Sequence, residues 1–60
     1  MHIEQAPLFT LAQVAERLQV STKTVRRWIE NDDLIAHRLG RQLRISEADL
    51  QVFIKARREP

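Results

Sequence analysis

The chain has 60 residues, a mass of 7.1 kDa, a formal net charge of +2 and no cysteine. A chain of this length forms at most one domain, and without cysteine it has no disulfide and no thiolate ligand for a metal. Its two histidines, His2 and His37, lie far apart and give no metal-ligand spacing. Because 43% of the residues are hydrophobic, the composition is that of a folded chain that depends on a compact apolar core.

The positive charge is concentrated in the middle of the chain, and eight of the ten basic residues are arginine. Between Ser21 and Arg44 the basic residues are Lys23, Arg26, Arg27, Arg38, Arg41 and Arg44. The planar guanidinium of arginine pairs bidentately with phosphates and guanine edges, so this distribution favours a nucleic-acid partner. The alternative is an ordinary solvated surface of mixed charge.

We predict a flexible N-terminal arm over residues 1–8, a folded domain over 9–57 and a short tail over 58–60. Thr10 and Gln13 have the spacing of a capping box. The apolar residues that follow recur at i, i+3, i+4 and i+7, which is the period of one helix face. The first helix is therefore predicted from Leu11 to Leu18.

A second helix is predicted from Thr22 to Asn31, with Ser21 as its N-cap. Its apolar face carries Val25, Trp28 and Ile29. Only Gln19 and Val20 separate it from the first helix, and two helices joined so closely pack at a steep angle as a helix-turn-helix.

Residues 34–45 alternate in polarity around a single glycine, which predicts a β-hairpin, here called the wing. The Gly-X pair Gly40-Arg41 favours a two-residue loop of type II′. A three-residue loop from Gly40 to Gln42 would instead pair Leu39 with Leu43 and keep the apolar residues on one face. Since a one-residue slip moves every apolar side chain to the other face, we expect the three-residue loop.

A third helix follows, with Ser46 as its N-cap and Asp49 at the capping-box position. The order helix, helix, hairpin, helix predicts a mainly α fold with a small β-hairpin, a winged helix-turn-helix. The residues expected in its core are Leu11, Val14, Leu18, Val20, Val25, Trp28, Ile29, Leu39, Ile45, Leu50, Phe53 and Ile54.

The basic face of the second helix is the principal candidate site. An α-helix fits the major groove of DNA, where its first residues reach base edges, and its free N–H groups attract phosphate. Arg41 at the tip of the wing can enter a minor groove or hold a phosphate. The alternatives are a solvated helix face, in which Glu30 pairs with Arg26 or Arg27, and a charged hairpin edge that deters aggregation.

Other residues with reactive or stacking side chains have simpler interpretations. Trp28 has the spacing of a core residue rather than of a base-stacking one, and His37 is interpreted as packed in the wing rather than as a ligand. Asp32 and Asp33 favour a turn rather than a catalytic pair. The sequence contains no nucleophile–base pair, phosphate loop or metal-ligand spacing, so we expect no enzyme activity, metal or cofactor.

Four motifs occur in order along the chain. They are T-x-x-x-V-A-E-x-L in the first helix, V-S-x-x-T-V-R-R-W-I across the turn and second helix, R-L-G-R-x-x-R-I in the wing and S-E-A-D-L-x-x-F-I in the third helix. With these motifs, residues 8–54 resemble the excisionase-family winged helix-turn-helix, which is related to the MerR-like DNA-binding domains. One departure follows the second helix, where such domains often carry a basic residue and a glycine and this chain has Asn31-Asp32-Asp33.

The resemblance implies a protein that binds double-stranded DNA, with the second helix in the major groove and the wing on the backbone or in the minor groove. The residues that it places against DNA are Ser21, Thr22, Lys23, Thr24, Arg26, Arg27, Arg38, Gly40, Arg41 and Arg44. Two roles are compatible with it: a recombination directionality factor that assists an integrase, and a small transcription regulator that acts on RNA polymerase. The alternative from another class is a protein-interaction module on a winged-helix scaffold.

A domain this small covers a short DNA site, so we expect cooperative or dimeric binding with a second copy of the chain. The longest aliphatic run is far shorter than the roughly 20 residues that span a bilayer, and residues 1–7 lack the apolar stretch of a signal peptide. We therefore expect the protein in the cytoplasm, associated with the nucleoid.

Overall fold

The computed structural model describes residues 8–57, so the rest of the predicted arm and the predicted tail lie outside it. The elements in chain order are β1 (Leu8–Phe9), α1 (Leu11–Leu18), α2 (Thr22–Glu30), β2 (His37–Leu39), β3 (Gln42–Ser46) and α3 (Glu47–Ala56). The strands are antiparallel in the order β1-β3-β2. The mainly helical winged helix-turn-helix predicted from the sequence is confirmed.

Side-chain caps begin the helices where the sequence predicts them. At the start of α1 the Thr10 N–H donates to Gln13 Oε1 at 2.9 Å, and the Gln13 N–H donates to Thr10 Oγ1 at 3.0 Å. Ser21 caps α2 and Ser46 caps α3, each by accepting from the N–H three residues later. These bonds satisfy backbone donors that a helix leaves free at its N-terminus.

The corner between α1 and α2 is made without glycine. Gln19 adopts a left-handed backbone with a φ of 59°, which costs a non-glycine residue roughly 1–2 kcal/mol. The Val20 N–H then donates to Ala15 O at 2.9 Å, and the Val20 side chain packs against the core as predicted. The corner thus combines a strained backbone at Gln19 with packing of the half-buried Val20 side chain.

Leu8 and Phe9 form a strand that the sequence did not predict. Leu8, expected in the flexible arm, pairs with Ser46, and Phe9 pairs with Ile45. Phe9 also packs against the core, with the Arg17 guanidinium 5.5 Å from the centre of its ring, a favourable cation–π distance. A two-residue strand has no periodicity to recognise, so only its distant pairing partner reveals it.

The turn of the wing differs from the predicted one. Leu39 pairs with Gln42, which leaves the two-residue loop Gly40-Arg41 and makes the predicted three-residue loop wrong. Of the two loop residues only Gly40 has a positive φ, 65°. A positive φ confined to the first loop residue is the pattern of a type II′ turn.

Two physical effects favour the shorter loop. The three-residue loop would have set Arg38 directly opposite Arg44, and like charges at opposed positions destabilise a strand pair. In the observed register Arg38 lies opposite Leu43, and Arg44 lies opposite His37. The longer loop was expected because it places Leu39 on the same apolar face as Leu43. Leu39 is 51% exposed, so its side chain does not require a place on that face.

The core differs most from the predicted one at two leucines. The buried residues are Val14, Ala15, Val25, Leu34, Ile45, Leu50 and Phe53. The partly buried residues that pack against them are Phe9, Leu11, Leu18, Val20, Trp28, Ile29, Ala36 and Ile54. Leu39 was wrongly expected in the core, whereas Leu34, which was not expected there, is 1% exposed.

A chain reversal after α2 explains the burial of Leu34. Asp32 adopts a left-handed backbone with a φ of 63°. The N–H groups of Asp33 and Leu34 then both donate to Trp28 O, at 2.8 and 3.2 Å. The reversal turns the Leu34 side chain back under the helix and into the core.

Polar contacts tie the start of α3 to α1. The Arg17 Nη1 donates to Glu47 Oε1 at 3.2 Å, and Gln51 Nε2 donates to Glu47 Oε2 at 2.8 Å. The bonds from Arg17 and then Gln51 hold the pKa of the Glu47 carboxyl below its ordinary value. Glu47 is therefore held ionised as a structural partner of Arg17.

A second set of contacts ties the end of α3 to the end of α2. Arg57 Nη2 lies 3.1 Å from Asp33 Oδ2, and the Arg57 guanidinium lies over the rings of Phe53 and Trp28, at 4.8 and 5.6 Å from their centres.

None of the helices within residues 8–57 has the length and apolar character needed to cross a membrane.

The two leucines test this description of the core. We expect Leu34→Ala to lower the free energy of unfolding by about 2–5 kcal/mol, because it removes a fully buried side chain and leaves a cavity. The matched variant Leu39→Ala removes the same atoms from an exposed site, and we expect a change within about 0.5 kcal/mol. Urea unfolding followed by circular dichroism measures both, and equal losses would contradict the description.

Candidate nucleic-acid interface

An open groove of about 400 Å³ lies between the start of α1, the second helix and the wing. Its lining residues are Thr10, Leu11, Ala12, Arg26, Arg38, Arg41, Gln42, Leu43 and Arg44. The lining contains four arginines and, in the part of the chain that the structure describes, no carboxylate. A concave surface with one sign of charge concentrates its potential and attracts ligands of opposite charge.

The cations around this groove differ from those elsewhere in their partners. Within residues 8–57, the arginine–carboxylate ion pairs are Arg17–Glu47 and Arg57–Asp33, and the His37 ring contacts Asp49. No described carboxylate forms an ion pair with Lys23, Arg26, Arg27, Arg38, Arg41 or Arg44. The alternative in which Glu30 pairs with an arginine of α2 is thus not observed, and no carboxylate among residues 8–57 neutralises these side chains in an ion pair.

The second helix presents its basic residues in two directions. Its polar residues Thr22, Lys23, Arg26 and Arg27 are all exposed, but of these only Arg26 lines the groove. Successive residues turn by about 100° around an α-helix. Since Val25 is completely buried, Lys23 and Arg27 lie on the side farthest from the core, and Arg26 lies between that side and the core.

Two of the predicted site residues at the start of α2 are engaged in its cap. Ser21 Oγ accepts from the Thr24 N–H at 3.1 Å and shares a hydrogen bond with Thr24 Oγ1 at 3.0 Å. Their hydroxyl groups are therefore held at the helix N-terminus, beside the exposed Thr22 and Lys23.

The first turns of the helices carry a signal that points to the groove. Neither α1 nor α2 has an acidic residue there, whereas α3 has Glu47 and Asp49. Acidic side chains normally compensate the positive end of a helix, so the N-termini of α1 and α2 remain attractive to an anion. This signal is present in the sequence, and it could have identified the groove residues of α1 that motif matching missed, Thr10, Leu11 and Ala12.

The wing supplies the other arginines of the groove. Its exposed site residues are Arg38, Gly40 and Arg41. Arg44 is half-buried, and its guanidinium is held on its own strand, where Nη1 donates to Leu43 O at 3.0 Å and Nη2 donates to Gln42 Oε1. Gln42 was not predicted as a site residue, because a neutral side chain adds nothing to a charge pattern.

The remaining residues singled out in the sequence take part in packing or turns. Trp28 is partly buried as predicted and packs on Phe53, with ring centres 4.7 Å apart. Asp32 occupies a left-handed position after α2, which aspartate tolerates better than most residues. His37 is exposed rather than packed in the wing, and its Nε2 lies 3.1 Å from Asp49 Oδ2.

A family model described as a helix-turn-helix domain matches residues 8–58, which is almost the whole chain. The matched range begins at β1 and includes α3, so it covers both the helix pair and the wing that line the groove. No curated protein and no solved structure matches the chain.

Gly40 tests the turn that carries the wing. No atom lies within 4 Å of the position that a Cβ would take, so Gly40→Ala should cost only the strain of a positive φ, about 1–2 kcal/mol. We expect Gly40→Asn to cost less, because asparagine tolerates positive φ better. Thermal unfolding of both variants measures the difference, and an unchanged Gly40→Ala protein would contradict the assigned turn.

Proposed function

Because this chain belongs to the helix-turn-helix domain family of the excisionase type, we propose that it binds double-stranded DNA with its second helix in the major groove. The observation that carries the proposal is the groove between α2 and the wing. Four arginines line this groove, and none of its lining residues among residues 8–57 is a carboxylate.

The position of the groove fits a sugar-phosphate backbone. In B-DNA each backbone separates a major groove, which admits a helix, from a narrower minor groove. A helix in the one and a hairpin tip in the other therefore straddle a single backbone. We assign Arg26, Arg38 and Arg44 to its phosphates, because they line the concave space between α2 and the wing. Gly40 and Arg41 at the tip enter the minor groove beyond it.

The side of α2 farthest from the core recognises the base sequence of the DNA in this proposal. Lys23 and Arg27 are exposed there, and we assign them to base edges in the major groove, where arginine is the commonest specific reader of guanine. Ser21, Thr22 and Thr24 lie at the N-terminus of α2, where hydroxyl and backbone N–H groups bind phosphate.

Two biological roles use these contacts: a recombination directionality factor that bends attachment-site DNA for an integrase, and a small MerR-like transcription regulator that acts on RNA polymerase. Helix-turn-helix DNA-binding families are typically non-enzymatic. In both roles we expect a second copy to bind cooperatively or as a dimer, and we place the protein with the nucleoid in the cytoplasm. Strong bending of a bound duplex, measured by energy transfer between its ends, favours the first role.

A salt titration tests DNA binding directly. Each phosphate neutralised by a cationic side chain releases counterions from the duplex. With three arginines on phosphates, we expect log K against log[salt] to have a slope of about −2.7 or steeper, since each phosphate contributes about −0.9. Fluorescence anisotropy of a labelled genomic duplex at several salt concentrations measures this slope.

The absence of binding at low salt would reject the proposal and favour the protein-interaction module. A bound complex whose affinity does not depend on salt would contradict the phosphate assignments while leaving DNA binding in place.

The two neighbouring arginines of α2 should differ in their effect on sequence preference. We expect Arg27→Ala to cost about 1–3 kcal/mol on the preferred site and to relax the preference at one base pair. Arg26→Ala should weaken binding to all duplexes about equally and reduce the salt slope by about 0.9, because it removes a phosphate contact. Selection from a random duplex library, followed by titration of selected and scrambled sites, measures both.

Lys55→Ala is the matched control, because it removes the same charge from an exposed position in the last turn of α3, outside the groove. It should change neither affinity nor preference. If Arg26→Ala and Arg27→Ala had the same effect on every sequence, the proposed orientation of α2 would be wrong.

A further inference from the structure

We propose that Gln42 is a positioning residue that holds the Arg44 guanidinium in the orientation in which it meets a DNA phosphate. This inference rests on the proposed function and deepens it, because it assigns a role in binding to a neutral residue of the wing.

The contacts of Arg44 fix its guanidinium at both terminal nitrogens. Nη1 donates to Leu43 O at 3.0 Å, and Nη2 donates to Gln42 Oε1. Residues two apart on a strand lie on the same face of the sheet, so Gln42 reaches Arg44 without a bend in β3. A planar group held at two nitrogens has a defined plane, and its free N–H groups have defined directions.

The same contacts leave hydrogen-bond donors for a ligand. A guanidinium has five N–H donors and no acceptor, so two bonds leave three donors of Arg44 free of these partners. Because arginine only donates, Gln42 must present its amide oxygen to Arg44, and the two N–H donors of its amide nitrogen face elsewhere. Both residues line the groove. The pair thus brings several donors and no free carboxylate to one place.

The choice of a neutral partner distinguishes Arg44 from the structural arginines of the chain. Arg17 is held by Glu47 at 3.2 Å, and Arg57 is held by Asp33 at 3.1 Å. Those carboxylates cancel the charge that they orient. The amide of Gln42 orients Arg44 and leaves its full positive charge to attract a phosphate.

Orientation before binding has a measurable consequence. A long side chain that is ordered only on binding loses rotamer freedom at that moment, which weakens the complex. We expect Gln42→Ala to weaken binding to duplex DNA by about two- to tenfold, which corresponds to the cost of ordering one such side chain. The salt slope should stay unchanged, because Arg44 keeps its charge.

The near-isosteric variant Gln42→Glu separates orientation from charge. It keeps an oxygen acceptor for Arg44 but turns the contact into an ion pair beside the phosphate. We expect it to weaken binding more than Gln42→Ala does and to reduce the salt slope by about 0.9, as if one phosphate contact were lost.

A double-mutant cycle tests whether Gln42 acts through Arg44. Titrations of a labelled duplex compare wild type, Gln42→Ala, Arg44→Ala and the double variant. A second cycle uses Arg44→Lys in place of Arg44→Ala, because lysine keeps the charge and loses the planar donor group. We expect Gln42→Ala to have no effect beyond twofold in either background. Gln51→Ala is the matched control, since Gln51 also bonds a charged residue, Glu47, but lies on α3 outside the groove. It should leave affinity unchanged.

Equal weakening by Gln42→Ala in the presence and absence of Arg44 would overturn the inference, because Gln42 would then contact DNA itself or support the fold. So would an unchanged affinity of Gln42→Ala in the wild-type background. If the wild-type chain binds no duplex, the proposed function fails first, and this inference fails with it. If the wild type binds and Arg26→Ala weakens it, but the cycle shows no coupling, only this inference fails.

Discussion

Strand β3 lies between β1 and β2, and the side chain of Ile45 at its centre is completely buried. Alternation along a strand then decides the direction of the two neighbours, Arg44 and Ser46, which face away from the core. Ser46 is thereby free to cap α3, and Arg44 is free to reach the groove. One buried side chain thus sets the start of the last helix and the position of a candidate phosphate ligand. A slip of one residue in the register of β3 would turn the side chains of Arg44 and Ser46 towards the core.

The distribution of carboxylates explains how a chain with a net charge of only +2 can present a strongly basic surface. Within residues 8–57, three acidic side chains contact basic side chains and so join α3 to α1, to the end of α2 or to the wing: Glu47, Asp33 and Asp49. The first turns of α1 and α2 have none. These acids therefore join α3 to other elements and do not line the groove, and none of them forms an ion pair with an arginine of α2 or of the wing. Net charge averages over this separation and conceals it.

The features that the sequence predicts well are those with local causes. The beginnings of all three helices follow from caps three residues apart, such as Ser21 and Thr24, and their buried faces follow from helical spacing. The features that it misses depend on residues distant in the chain. Leu8 becomes a strand residue only because β3 offers an edge. Leu34 is buried only because Asp32 reverses the chain after α2. The same holds for the site, since no local pattern shows that Arg26 and Arg38 share a groove.

The register of the wing joins fold stability to the proposed chemistry. Side chains directly opposite each other on paired strands share a face, so Arg38 shares the face of Leu43, and Arg44 shares the face of His37. The two arginines thus project from opposite faces of the hairpin and still both line the groove. This separation lowers their mutual repulsion relative to a register that sets them directly opposite each other. A phosphate seated in the groove would meet Arg38 and Arg44 from two sides, and it would then join charges that the two-residue loop had kept apart. The two-residue loop that keeps Arg38 and Arg44 from lying opposite each other therefore also places one arginine on each face of the wing, from which we propose that they bind a phosphate.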